Sequence, residues 1–437
     1  MNRQILRLAI PFIISNITVP LVGTVDTALM GHFGSQAHLG AIGLAGSIFN
    51  FLYWNFAFIR MSVAGFTAQA YGAKDMRESA TLLGRSVSMA LMGSVLLLLL
   101  QVPIARLSFL IARGEPDVEL LAQEYFYIRI YAAPATLSLY AITGWFIGLQ
   151  NAKIPMIISL IVNLVNISAS TFFVIVLNMD SAGVAWGTVL AQYAGMMYAV
   201  LVIFRKHRNS IRLIRIRHLF TGSSVMRFFQ VNRDVFVRTF FVIFVLTYYN
   251  FASAGQGNVI LGINVIFLQL IYAFSFFIDG FANAAEALVG KFIGERNKPA
   301  LKMVVRALFL WGIGLAGLFT FAYFLFFDSL IRIYTGDPEI INRAKEFAHW
   351  IMLLPVISFT AFVWDGIYLG ATAAKEQRNA TLISAIVFFT IFFTFREKLG
   401  NHALLIAQLC FFGLRGVIQT VYYRPAILDR FFKPVGV

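Results

Sequence analysis

Apolar runs occupy most of the 437-residue chain, and they restrict the fold more than any other feature. A helix that crosses a bilayer needs roughly 20 apolar residues, whereas a barrel strand needs about 10 with strict alternation. No such alternation occurs, and in lipid only helices and closed barrels satisfy all backbone groups. The sequence therefore predicts an all-α integral membrane protein with twelve transmembrane helices. The predicted spans are about 5–31, 36–62, 80–104, 120–148, 153–178, 183–204, 234–255, 258–285, 302–327, 341–370, 377–395 and 402–423.

The composition supports this interpretation and indicates the surroundings of the chain. Only 13% of the residues are charged, against about 25% in soluble domains. The net charge of +15 is concentrated in loops on one side, above all in the run 205–227. Basic loops of this kind set topology and meet anionic lipid, so we expect lipid rather than nucleic acid as the partner. The positive-inside rule then places both termini in the cytoplasm.

The two halves of the chain repeat each other at an offset of 222 residues. The glycine pairs that show it are Gly40/Gly262, Gly72/Gly294, Gly114/Gly336, Gly144/Gly366 and Gly148/Gly370. We interpret this as a duplicated six-helix unit, with lobes at 1–204 and 234–437 and a basic cytoplasmic linker at 205–233. Two such bundles related by a pseudo-twofold axis along the membrane normal are typical of transporters that work by alternating access.

The energy source is predicted to be an ion gradient. The chain has no G-x-x-x-x-G-K-[ST] motif for nucleotide binding. Its six histidines have no metal-ligand spacing, and no reactive constellation of an enzyme occurs. We therefore expect no cofactor, no metal and no enzymatic activity.

Asp26 lies within the first apolar run, VPLVGTVDTALMG. A carboxylate in lipid is costly, so it should face protein or water and is a candidate functional group. It could bind a proton or, with further oxygen ligands, sodium; a structural hydrogen-bond anchor is the alternative. Pro11 and Pro20 each remove a backbone hydrogen bond from the same helix, which allows a fixed or a moving bend.

Neutral polar residues follow in the fifth and sixth spans. Asn163, Asn166 and Ser170 fall at i, i+3 and i+7 and share one helix face. With Thr188 of the sixth span they could supply oxygens near Asp26. Polar stripes between membrane helices also serve as packing contacts, so both interpretations stay open.

The second half carries its own charges. Asp279 and Glu286 lie seven residues apart in the eighth span, and Asp365 lies in the tenth. Arg60 falls at repeat position 282, which predicts a buried pair between Arg60 and Asp279, with Arg238 contributing. We interpret this candidate network as a structural or gating latch, because a salt-bridged carboxylate is a poor exchangeable site.

Several stretches together resemble the MATE (multidrug and toxic compound extrusion) transporters of the DinF-like branch. They are VDTALMGHFG, YWNFAFIRMSVAGFTAQAYG, GWFIGLQNAKIPM, NRDVFVRTF and DGFANAAEALVG. The resemblance implies two six-helix lobes and export of amphipathic, often cationic compounds in exchange for H⁺ or Na⁺. It also implies that Asp26 is the coupling residue, because it occupies the place of the family's first-span aspartate.

The resemblance also bears on the coupling ion. Family members with a fuller cation site add an asparagine, a second aspartate and a threonine; Asn166 and Thr188 match, but Ser170 stands where the second aspartate would be. A single aspartate among neutral partners suits a proton better than Na⁺. The expectation is a monomeric, proton-coupled multidrug exporter of the bacterial inner membrane. The alternatives are Na⁺-coupled drug antiport and a lipid-linked saccharide flippase of the same superfamily.

Overall fold

The computed structural model describes residues 1–112, 115–214, 219–221 and 223–432, without the side chains of Val19 and Ser223. Over these residues the chain is almost entirely helical and contains no strand. Twelve of its helices are long and apolar enough to cross a membrane, as the sequence predicts. We number them spans 1 to 12: Asn2–Phe33, Gln36–Gly72, Met76–Leu99, Pro116–Gly148, Lys153–Val176, Asp180–Lys206, Ser224–Ala254, Asn258–Gly294, Lys298–Tyr334, Pro338–Gly370, Ala374–Leu399 and Asn401–Phe432.

Some spans are interrupted. Span 2 breaks at Ala57. Span 4 breaks at the 3₁₀ turn Ile130–Ala132, and Pro134 lies in the first turn of the helix that follows. Span 5 ends in the π-helical turn Phe172–Val176. Each break changes the direction in which the following side chains project from the span. One of them directly follows Arg129, the last residue of the first helix of span 4.

Among the described residues, two short helices lie outside the spans. Gln101–Ala112 follows span 3, so the predicted span at 80–104 joins two helices that the structure separates at Leu100. The helix Arg208–Arg212 lies within the predicted linker, 205–233. The same linker segment packs on span 3, where the buried Arg85 donates from Nε to the Leu219 carbonyl at 2.7 Å.

Contacts divide the chain into two compact units. One, here called the N-unit, is Ile14–Phe228; the other, the C-unit, is Met1–Ile13 with Phe229–Val437. Each unit has its own apolar core. The N-unit core includes Phe49, Phe126 and Trp145, and the C-unit core includes Phe267, Phe388 and Phe411, all fully buried.

Span 1 is therefore divided between the units after Ile13. Its first residues pack on span 8 within the C-unit: a Cβ atom on Gly280 would lie 2.5 Å from Cγ1 of Ile13 and 3.0 Å from the carbonyl oxygen of Ala9. The part of span 1 that carries Asp26 belongs to the N-unit.

The 222-residue repeat is visible in the backbone. Spans 2, 3 and 4 begin at residues 36, 76 and 116, and spans 8, 9 and 10 begin at 258, 298 and 338. Left-handed turn residues recur at the same offset: Lys74 (φ 57°) with Arg296 (φ 53°), and Gln150 (φ 62°) with Thr372 (φ 52°). Because such a conformation is uncommon for residues other than glycine, its recurrence marks one folded unit used twice.

Equivalent glycines allow equivalent helices to touch. A Cβ atom on Gly144 would lie 2.5 Å from the carbonyl oxygen of Arg60, and a Cβ on Gly366 would collide with the carbonyl oxygen of Ala282. Residues 60 and 282 are themselves separated by 222. Only a residue without a side chain permits this backbone approach, so both glycines are required by packing.

Candidate functional site

Asp26 is a buried carboxylate of the N-unit, with 8% of its surface exposed. The Ser170 hydroxyl of span 5 lies close to it, and Arg129 of span 4 interacts with it electrostatically. Within the described part of the chain, neither Oδ1 of Asp26 nor Oγ of Ser170 has a hydrogen-bond partner of standard geometry. Asp26 is thus surrounded by polar groups but is not held by a tight pair.

Asn166 and Thr188 join spans 5 and 6 beside this group. Nδ2 of Asn166 donates to the Thr188 hydroxyl oxygen at 3.0 Å, and that hydroxyl donates to the Val184 carbonyl at 3.1 Å. Span 6 also reaches Ser170, because a Cβ atom on Gly187 would lie 2.7 Å from the Ser170 backbone nitrogen. The sequence-predicted Asn166, Ser170 and Thr188 therefore lie on two contacting helices.

Arg129 is the principal member of the site that the sequence interpretation missed. It is half-buried at the end of the first helix of span 4 and donates from Nη1 to the Tyr125 hydroxyl at 3.0 Å. Its guanidinium lies over the Phe49 ring at 4.9 Å. Tyr125 is itself buried and lies near Thr188, so it connects Arg129 to the Asn166–Thr188 pair. A lone arginine inside an apolar run was the available signal.

Asp365 of the C-unit has the opposite character. It accepts hydrogen bonds from Arg238, from Nη2 of Arg415 at 2.5 Å, from Nε2 of Gln377 at 2.9 Å and from Nε2 of Gln419 at 3.2 Å. All five side chains are buried, and they come from spans 7, 10, 11 and 12. Two guanidinium groups face one carboxylate, so this cluster is a fixed tie between four helices.

A second ion pair connects two of the same helices. Nη1 of Arg378 donates to Oδ1 of the buried Asp234 at 2.7 Å. Asp234 precedes Arg238 by one helical turn in span 7, and Arg378 directly follows Gln377 in span 11. Spans 7 and 11 are thus bound by two successive polar layers.

The remaining predicted charges are distributed over both units. Glu286 is buried in span 8, and Asp279 is half-buried in the same span. Arg60 belongs to the N-unit and Asp279 to the C-unit, so their pairing stays a prediction. Arg238, which we expected to contribute to that pair, instead binds Asp365. This difference arises because Asp365 of span 10, and not Asp279 of span 8, forms the ion pair with Arg238 of span 7.

Pro11 and Pro20 lie within one continuous helix, Asn2–Phe33. Pro11 is buried in the C-unit segment of span 1 and Pro20 is exposed in the N-unit segment. A moving bend at these residues stays a prediction. Among the described residues, no group of three or more His, Cys, Asp or Glu side chains is arranged to hold a metal ion.

The chain is similar to known proteins along most of its length. The MatE family model matches residues 11–172 and 235–394. The DNA damage-inducible protein F of Escherichia coli is 33% identical, covering 97% of this chain and 92% of that protein. A probable multidrug resistance protein NorM of Thermotoga maritima is 26% identical over 79% of this chain and 74% of its own length. The human multidrug and toxin extrusion protein 1 is 24% identical over 89% and 67%.

Solved structures share the fold. An outward-facing multidrug resistance MATE family transporter of the MOP superfamily superposes with a TM-score of 0.84 at 17% identity, covering 98% of this chain and 96% of its own. A MATE structure in a bent conformation gives a TM-score of 0.86 with the same identity and coverage. The twelve helices, the sequence identity and the matched family together identify the chain as a member of the MATE family of multidrug efflux transporters, and not an enzyme.

Proposed function

We propose that the protein exports amphipathic or cationic compounds by alternating access in exchange for protons, with Asp26 as the proton-binding group. The observation that supports this most is the contrast between the two buried aspartates. Asp365 accepts from four side chains, whereas Oδ1 of Asp26 has no hydrogen-bond partner in the described structure. A group that must gain and lose a proton in each cycle needs this looser environment.

Burial makes the protonation state of Asp26 consequential. Placing a charged side chain at the centre of a membrane helix costs about 2.5–3.5 kcal/mol of insertion free energy even by the lower estimates. Gain or loss of the Asp26 charge therefore changes the stability of the helix packing around it. Proton binding removes the charge, span 1 bends near Pro11 and Pro20, and the exported cation loses its electrostatic partner. Phe, Tyr and Met side chains bind the lipophilic part of the substrate, with cation–π contacts contributing.

The ligands around Asp26 favour a proton over sodium. A bound Na⁺ needs several oxygens together with compensating negative charge. Asp26 has a neutral neighbour in the Ser170 hydroxyl, and the charged group that acts on it is the cation Arg129. We therefore place H⁺ ahead of Na⁺ as the coupling ion.

The setting of the transporter follows from the same sequence features. We propose that it functions as a monomer in a bacterial inner membrane with both termini in the cytoplasm. The basic inner loops support this orientation through the positive-inside rule.

Ethidium efflux from proteoliposomes tests the proposal. Wild type, Asp26→Asn and the matched control Asp117→Asn, an exposed aspartate of the same unit, are driven in turn by a pH gradient and a Na⁺ gradient. We expect pH-driven efflux in wild type and the control, and at least a tenfold loss in Asp26→Asn. Full pH-driven efflux in Asp26→Asn would reject Asp26 as the coupling group. Efflux of wild type driven by Na⁺ alone would reject proton coupling, and no efflux under either gradient would favour the flippase alternative.

A further inference from the structure

His402 is a half-buried histidine in the first turn of span 12, two residues after the turn residue Gly400. Nε1 of Trp350, in span 10, donates a hydrogen bond to Nδ1 of His402 at 2.9 Å. The centroids of the Phe347 and His349 rings, also in span 10, lie 4.8 Å and 6.0 Å from that of His402. One titratable side chain therefore joins the start of span 12 to span 10.

Asn401, the residue before His402, joins the same helix to two others. The side-chain amides of Asn401 and Asn264, in span 8, exchange hydrogen bonds at 2.7 and 3.1 Å. Nδ2 of Asn264 also donates to the Ser253 hydroxyl of span 7 at 2.8 Å. All three side chains are buried, and none of them changes charge near neutral pH. Of these described contacts at the start of span 12, the one through His402 is the one that depends on pH.

Protonation of His402 and its hydrogen bond to Trp350 exclude each other. An indole N–H can only donate, so Nδ1 of His402 must accept, and the neutral ring carries its proton on Nε2. A second proton would occupy Nδ1 and remove the acceptor. It would also place a positive charge in the first turn of span 12, where the helix dipole disfavours a cation.

The other titratable and charged groups around His402 do not favour its protonation. Spans 7 and 8 supply the neutral Ser253 and Asn264. His349 of span 10 would carry a like charge if it were protonated. The remaining charged side chains are Lys345 and Glu346 of span 10, Asp328 of span 9, which pairs with Lys345, and Arg396, Glu397 and Lys398 at the end of span 11. Their three positive and three negative charges balance, so no net negative charge stabilises a proton on His402.

We propose that the hydrogen bond between Trp350 and His402 is an acid-sensitive switch at one end of the C-unit. It holds span 12 against span 10 while His402 is neutral, and it is lost when His402 binds a proton. The inference goes beyond the proposed function, because it assigns a pH response to the C-unit that does not require Asp26.

The proposed orientation decides which side the switch senses. With both termini in the cytoplasm, the turn between spans 11 and 12 faces the outside, and His402 follows that turn directly. Histidine is the side chain that ordinarily changes charge between pH 5 and 8. The switch therefore loosens the outer end of the C-unit when the outer phase is acidic, which is the condition that supplies protons for export.

NMR spectroscopy of the indole N–H of Trp350 tests the switch, on the full-length protein in detergent micelles labelled with ¹⁵N-tryptophan, between pH 8 and pH 5. Trp350→Phe assigns the resonance, because one of the signals from the six tryptophans disappears. His402→Asn keeps an acceptor oxygen near the position of Nδ1 but cannot be protonated. His402→Phe has no acceptor at all. His349→Asn is the matched control, because it removes the neighbouring histidine and keeps His402.

We expect the Trp350 resonance of wild type to move upfield as the pH falls, because a free indole N–H resonates upfield of a hydrogen-bonded one. The resonance should stay in place in His402→Asn and should lie at the acid position at every pH in His402→Phe. His349→Asn should titrate like wild type. The inference is overturned if the wild-type resonance does not titrate, if either His402 variant still titrates, or if His349→Asn abolishes the titration.

Failure of the proposed function is seen separately. Asp26→Asn should show the wild-type titration at Trp350, whether or not it exports ethidium. Loss of this titration in Asp26→Asn would also overturn the inference, because the response would then belong to the N-unit.

Discussion

Arg415 donates to Oδ2 of Asp365 at 2.5 Å and thereby joins span 12 to span 10 in the buried interior of the C-unit. Arg238 binds the same oxygen from span 7. Removing the shared carboxylate leaves two buried guanidinium groups facing each other without their anion. Removing one partner of a buried ion pair typically lowers the free energy of unfolding by about 3–5 kcal/mol, more than almost any surface substitution.

We therefore predict that Asp365→Asn destabilises the protein by about 3–5 kcal/mol, seen as a large fall in the thermal unfolding midpoint in detergent. The control is Asp328→Asn, which breaks the half-exposed pair with Lys345 at 2.8 Å and should cost at most about 1 kcal/mol. Equal shifts in the two variants would mean that the Asp365 cluster contributes no more than a surface ion pair.

The close approach at Gly366 makes a second prediction. Gly366→Ala places a methyl group against the Ala282 carbonyl oxygen, so spans 8 and 10 must separate, at a cost of about 1–3 kcal/mol or more. Gly314→Ala is the matched control, because a Cβ atom there has no neighbour within 4 Å and alanine is the better helix former. The thermal unfolding midpoints of both variants test this prediction. An unchanged midpoint in Gly366→Ala would contradict the close packing of spans 8 and 10.

The left-handed backbone at Lys74 makes a third prediction. Its φ of 57° costs a residue with a side chain about 1–2 kcal/mol, a cost that glycine avoids. We expect Lys74→Gly to be neutral or stabilising by up to about 1 kcal/mol, whereas Lys302→Gly, at an exposed helical lysine, should destabilise by about 1 kcal/mol. Comparable losses in both variants would show that the turn has no strain to relieve.

His207, just beyond span 6, makes the stability of the N-unit depend on pH. Burial against Trp145 and Phe146, with Lys206 adding repulsion, lowers the pKa of His207 below its usual 6.5. The folded protein therefore binds this proton less readily than the unfolded chain. The contribution of His207 to stability is fully present above pH 6.5 and is lost as the pH falls below it.

Thermal unfolding between pH 5 and 8 measures this effect. His207→Phe keeps a ring on Trp145 but cannot be protonated, so its unfolding midpoint should fall less than that of wild type as the pH drops. His32→Phe, at an exposed histidine, should retain the wild-type slope. A wild-type slope in His207→Phe would assign the pH dependence to other groups.

The number and order of the spans were predictable because a bilayer leaves few alternatives to a long apolar helix. The ends of the helices are less predictable from the sequence. The prediction for the ninth span is 302–327, whereas its helix runs from Lys298 to Tyr334. Hydropathy reports only the part of a helix that meets hydrocarbon, and helical hydrogen bonding continues past the first charged residues. The break at Ala57 has no proline or glycine beside it to signal it.

The candidate site was predictable where one residue carries the signal by itself. Asp26 in an apolar run is unusual in any arrangement, and Asn166, Ser170 and Thr188 follow from helical spacing and family resemblance. The partners of Asp365 were not predictable, because Arg238, Gln377, Arg415 and Gln419 are separated from it by up to 127 residues. The folded bundle determines which helices are in contact. The spacing of residues along one helix does not reveal which other helices it packs against.

The duplicated backbone has a consequence for how the transporter can be driven. Both copies keep the same left-handed turns and the same glycine contacts, yet Asp26 corresponds to Tyr248, and Asp365 to Thr143, at the 222-residue offset. The two copies of the duplicated unit therefore share a backbone but carry their buried aspartates at different repeat positions. Under the proposed function, the two copies therefore contribute unequally to transport. The copy with Asp26 changes its charge in each cycle, whereas the copy with Asp365 keeps its helices fixed together.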